Sequence, residues 1–177
     1  MTPVRSGLAA AAIFFLIASA LSGVLPLWLD EILQLRETRN TSTAEMLATV
    51  PRNSGAVPLG YLVQQAVLKI TGYSARWARL PAMLFGSAAV FLVALLAAEL
   101  GFTRPWLSAA VFAAFPVTLR YATEARVYSQ ALFFSVLATL IYASQDDLDQ
   151  RCGPLTGSSC WRRSLRSRTP SSSALRT

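Results

Sequence analysis

Apolar positions along this chain come in long runs, and the polar positions gather where those runs end. Gly7–Leu29 holds 23 residues without a charge and Leu80–Ala98 holds 19. Either is long enough to cross a hydrocarbon core of about 30 Å as a helix. Trp106–Leu119 and Val127–Ala143 are shorter, the first marginal and the second near full length. The pattern predicts an all-α polytopic membrane protein with about four transmembrane helices. Near the N-terminus, Arg5 and Ala18-Ser19-Ala20 satisfy the loose pattern of a cleavable signal peptide. The apolar run continues past Ala20 through Leu25, which favours a retained first span.

The positive-inside rule places Arg5, and hence the N-terminus, in the cytoplasm. Residues 30–78 then form a long external segment with two short juxtamembrane helices, Thr43–Val50 and Leu59–Ile70. The second has Pro58 before it and Thr71-Gly72 after it as start and stop signals. Gln64, Gln65 and Lys69 mark it as a helix lying along the membrane surface. "GFTRP" (101–105) makes a cytoplasmic turn, and "YATEARVY" (121–128) an external one. Four crossings leave both termini inside an integral protein of a bacterial inner membrane. One feature resists this order: Arg36, Arg39, Arg52, Lys69, Arg76 and Arg79 give the external segment more positive charge than the rule prefers.

Composition supports the membrane assignment. Charged residues are 14% of the chain, against about 25% in soluble domains. The net charge of +7 does not indicate nucleic acid. Six of sixteen basic residues lie in the last 27 positions, and the others flank apolar runs. Histidine is absent and both cysteines, Cys152 and Cys160, fall near the end, so no Cys/His metal site is indicated. Usage changes abruptly near Ser144: residues 1–143 contain 27 alanines and the remaining 34 contain one, with eight serines and six arginines. Residues 1–143 therefore form one transmembrane region. Residues 144–177 are expected to be a disordered cytoplasmic tail, or sequence read out of frame.

Two polar constellations share the external face. One is Asp30-Glu31 within "PLWLDEILQL" (26–35); the other is Glu124-x-Arg126-x-Tyr128. A carboxylate and a guanidinium in one cleft would supply an acid/base group and an anion partner. If Asp30 and Glu31 are helical, they point about 100° apart, so at most one faces a given cleft. From these residues alone, boundary charges and an active site are equally good readings. Arg79 is expected to snorkel at the interface, Tyr61 and Tyr128 to anchor there, and Glu124 to pair with Arg126 or Arg120. Two adjacent carboxylates make a poor divalent-cation site unaided, so no cofactor or metal is indicated.

The order of motifs resembles the N-terminal part of the type-C-fold membrane glycosyltransferases, in the protein O-mannosyltransferase and aminoarabinose-transferase group. Trp28-Leu29-Asp30-Glu31 matches the group's W-x-D-E motif, and "PLGY" (58–61) its P-L-x-Y. "YSARWARLPAMLFG" (73–86) matches the start of its second helix, and "PVTLRYATEARVYS" (116–129) the P…Y-x-x-E-A-R-x-Y motif. The resemblance covers about residues 7–143. It implies transfer of a sugar from a polyprenyl-phosphate donor, held in the membrane lipid, to an acceptor hydroxyl with inversion. It implies Asp30 as general base with Glu31 beside it, and Arg126 at the leaving phosphate. Glu124, Tyr128, Arg79 and Tyr61 follow as weaker substrate contacts. Members of the group are longer, and their later helices complete the site, so this chain alone is expected to be inactive. The alternative is a small non-catalytic membrane protein that associates with a partner enzyme.

Overall fold

The computed structural model describes residues 2–39, 42–53 and 58–152, and those residues are all-helical. In chain order the helices are α1 (Pro3–Val24), α2 (Leu29–Arg39), α3 (Thr43–Asn53), α4 (Pro58–Thr71), α5 (Ala75–Glu99), α6 (Pro105–Ala114), α7 (Pro116–Thr123) and α8 (Tyr128–Cys152). The chain divides into two compact units, Met1–Leu140 and Ile141–Thr177, and the site lies in the first. Helix α8 continues past Ser144, where the tail was expected to begin. The rest of that tail, 153–177, lies outside the described residues.

Two helices, α1 and α5, are long and apolar enough to cross a membrane. Helix α1 turns Leu8, Ile13, Leu16 and Ile17 outward, each about half exposed or more, an apolar face that suits lipid better than water. The four expected spans are not all present as such. The third is broken at Phe115-Pro116 into α6 and α7. A residue before proline is driven out of the helical region, and Phe115 is accordingly extended at φ −66°, ψ 124°. The ten residues of α6 reach about 15 Å, roughly half the hydrocarbon thickness. Helix α8 has the length, but Asp146, Asp147 and Asp149 occupy its second half.

The first expected span also ends early. Leu25 is extended and Pro26 has no N–H to continue the ladder, so α1 stops at Val24. Asp30 and Glu31 therefore stand in the first turn of a new helix, α2, and not at the end of the first span. Glu31 reaches back to accept the Trp28 N–H at 3.0 Å, one half of a capping box. Helix α3 has the whole box: Glu45 Oε2 accepts the Ser42 N–H, and Ser42 Oγ accepts the Glu45 N–H.

Small residues bring α1, α5, α6 and α7 together. Phe14 and Ala18 of α1 pack on Met83, Val90 and Ala94 of α5, closed by Ala109 and Ala122. A Cβ on Gly86 would come within 2.8 Å of the Ala122 Cβ, so the glycine permits this approach, as small residues do between membrane helices. The α4 helix is not a free surface helix: Gln64 and Gln65 are buried. Gln64 accepts from Gln34 Nε2 at 3.0 Å and donates to the Ala78 carbonyl at 3.1 Å, which ties α2, α4 and α5 together.

Candidate functional site

The adjacent carboxylates point to different places. Glu31 is 1% exposed, and both of its oxygens are fully engaged. Oε1 accepts from Arg79 Nε at 3.0 Å and from the Ala125 N–H at 2.6 Å. Oε2 accepts from Arg79 Nη2 at 2.8 Å and from the Trp28 N–H. Burial pushes this carboxyl up, but the Arg79 guanidinium and the two backbone N–H groups outweigh it and hold Glu31 below the usual carboxylate range.

Arg79 does not snorkel. It is 1% exposed and lies inside the protein, one turn into α5. Besides the Glu31 contacts, Nη1 donates to the Ser22 and Leu25 carbonyls at 2.8 Å each, and Nη2 to the Pro26 carbonyl at 2.9 Å. A guanidinium has five N–H groups, and these five bonds use them all. Ser22 lies in the last turn of α1, where carbonyls have no helical partner, so Arg79 caps one helix from within another. No donor remains for a substrate phosphate.

Asp30 faces the opposite way. Its side chain is 69% exposed and lies 3.9 Å from Arg126 Nη1. Arg126 also donates to the Asp30 carbonyl at 3.4 Å and to the Tyr128 hydroxyl at 3.3 Å, with its guanidinium 5.5 Å from the Tyr128 ring centre. Two of five N–H groups are used, so three have no acceptor among the described residues. Glu124 pairs with Arg120 at 2.7 Å and not with Arg126. The Arg120 guanidinium sits 5.7 Å from the Trp28 ring centre. These side chains, with Glu31, Val117 and Tyr121, line a cavity of about 370 Å³.

The structure thus brings together Asp30, Glu124, Arg126 and Tyr128, with Glu31 against the wall. Two predicted residues do not line this cavity, although Tyr61 is near enough to Arg126 to act on its charge. Arg79 is behind Glu31, and Tyr61 is buried with Met46 and Val50 on α3. Sequence reasoning missed Tyr121, whose ring stacks on Tyr128 at 4.9 Å, and the Ala125 N–H. Tyr121 carried a signal, because it lies seven residues before Tyr128 in the same "YATEARVY" segment. A backbone N–H carries none. A larger cavity of about 980 Å³ between α1 and α6 has no ionisable side chain in its lining. Among the described residues no three His, Cys, Asp or Glu side chains converge on one point.

What this arrangement can do follows from its chemistry. A solvent-accessible carboxylate stands beside a guanidinium with unused donors, and aromatic faces border both. No family model, curated protein or solved structure matches this chain, so the geometry and the motif order carry the functional reading.

Proposed function

We propose that this chain is the N-terminal portion of a membrane glycosyltransferase that takes a sugar from a polyprenyl-phosphate carrier to an acceptor hydroxyl, at the outer face of the membrane. The observation that carries this reading is the meeting of Asp30 and Arg126, 96 residues apart, in one open groove. In the proposed reaction Asp30 takes the proton of the acceptor hydroxyl as that oxygen attacks the anomeric carbon. The bond to the phosphate oxygen breaks with inversion, and its electron pair leaves on the phosphate. Arg126 receives the developing charge through its free N–H groups. The exposure of the Asp30 carboxylate supports this role, since a base must be open to the incoming hydroxyl. Glu31, with all its acceptor positions taken, holds the turn that aims Asp30 and is a positioning residue.

The test is donor retention by the chain in proteoliposomes, with a radiolabelled polyprenyl-phosphate sugar. Arg126→Gln is expected to weaken donor retention about tenfold, the loss of one charge-assisted contact of about 1.5 kcal/mol. Asp30→Asn is expected to retain donor as wild type does and, in a version extended by the later helices, to abolish transfer. A wild-type chain that retains no more donor than Arg126→Gln sinks the proposal. The non-catalytic alternative then stands.

A further inference from the structure

The excess positive charge of the external segment is explained only in part by the buried Arg79. We infer that Arg36 and Arg39 form a second site, separate from the groove of Asp30, which holds the phosphate of an anionic phospholipid at the membrane surface. The two side chains are exposed on α2 and line a cavity of about 390 Å³, together with Leu27, Ile32, Leu35 and Tyr73. Neither arginine belongs to any ion pair among the described residues; those pairs are Arg79–Glu31, Arg120–Glu124 and Arg126–Asp30. Arg39 instead lies 5.8 Å from the Tyr73 ring centre, which fixes its guanidinium at the rim of the cavity. Ser74 and Ala75 complete the lining and form the N-terminal end of α5, where unpaired backbone N–H groups favour an anion.

The surroundings select a lipid over a soluble phosphate. Leu27, Ile32, Leu35 and Ala75 make half of the lining aliphatic, and Ile32 is 48% exposed within the cavity wall. Leu29, Leu33, Ile70 and Trp77 nearby in sequence also leave apolar surface open, with Ile70 86% exposed. Two cations and an aliphatic wall in one cavity, at the N-terminal end of the membrane-length helix α5, match the phosphate and the acyl chains of one lipid. Basic side chains beside an anionic leaflet are attracted in this way. This inference does not depend on the transferase reading, because it uses no residue of the Asp30 groove.

The experiment is native mass spectrometry of the delipidated full chain, titrated with phosphatidylglycerol or with phosphatidylcholine of the same acyl composition. Phosphatidylglycerol is expected to bind in at least one tight copy and phosphatidylcholine much more weakly. The double variant Arg36→Gln/Arg39→Gln is expected to lose the tight copy about tenfold, whereas Arg52→Gln, on α3, leaves it unchanged. Ile32→Glu, which sets a carboxylate against the phosphate while keeping both arginines, is expected to lose it too. Equal binding of the two lipids overturns the inference, as does full retention by the double variant. Displacement by glycerol 1-phosphate at equal concentration also overturns it, because the site would then take free phosphate.

Discussion

Two arginine–carboxylate pairs, built from neighbouring acids of one helical turn, are opposite in almost every physical respect. Glu31–Arg79 is sealed, with 1% exposure on each side and every hydrogen-bonding position of both groups occupied. Asp30–Arg126 is open and long at 3.9 Å, with exposures of 69% and 27%. A sealed pair costs a great deal to break because the survivor is left as an unpaired charge away from water. An open pair contributes little to stability, which frees its groups to meet a ligand. One acidic dipeptide therefore supplies a sealed anchor and an open edge, and the helical geometry of the two residues points them apart.

The largest effect is expected where the anchor is cut. Arg79→Met leaves Glu31 buried without its cation and strips the donor from the Ser22, Leu25 and Pro26 carbonyls. A loss of about 3–5 kcal/mol is expected, readable in a denaturation series of the purified protein. A melt within experimental error of wild type would show that the anchor is dispensable.

Acidification probes the same pair. The Glu31 carboxyl is held below its unfolded value, which is about 4.3. Its contribution to stability is thus fully present above that pH and is lost as pH falls through the lower folded value. Unfolding midpoints should be flat near neutrality and fall in acid, and Glu31→Gln should flatten the acid limb while lowering the neutral plateau. An unchanged acid limb in that variant would assign the acid sensitivity to another group.

A smaller loss is expected at the contact that carries the 121–128 turn. A Cβ on Gly60 of α4 would collide with the Val127 side chain. Gly60→Ala should therefore cost about 1–3 kcal/mol by overpacking and disturb the neighbouring Arg126. Gly23→Ala has open space around it and serves as the silent control; equal melts of the two variants would remove the close contact from the account.

The smallest stability change belongs to the open pair. Asp30→Asn and Arg126→Gln should each shift stability by no more than about 1 kcal/mol, with the difference shrinking at high salt. A shift as large as that of Arg79→Met would erase the contrast between the two pairs.

Much of the helical content was legible because long uncharged runs admit few alternatives. Proline set what the runs concealed. Pro26 ends α1 before the acidic pair, and Pro116 divides the third apolar run, so hydrophobicity alone overstated the number of intact spans. At the candidate site, the divergence of Asp30 and Glu31 was legible from helical geometry, and so was Glu124's pairing with Arg120 as one of two options. The inward turn of Arg79 was not. Its partners are mostly carbonyl oxygens of α1 and its connection, and every residue type presents a carbonyl. Gln64 and Gln65 misled for a related reason: an amide reads as surface until its buried partners are known, here Gln34 and the Ala78 carbonyl for Gln64 and the Thr43 hydroxyl and Thr38 carbonyl for Gln65.

The Glu31 anchor also sets an order of events in biosynthesis. Arg79 lies 48 residues further along the chain and Ala125 lies 94. At about 5–20 residues per second, the nascent carboxylate waits several seconds for its guanidinium and longer for the backbone amide. Until then the connection after α1 lacks the bonds that fix it, because Arg79 supplies the donors to the Ser22, Leu25 and Pro26 carbonyls as well as to Glu31. The arrival of Arg79 joins the start of α5 to the end of α1, and the Ala125 N–H closes the last acceptor position only when the turn before α8 has been made. The anchor is a latch that shuts late, after most of the chain it holds together exists.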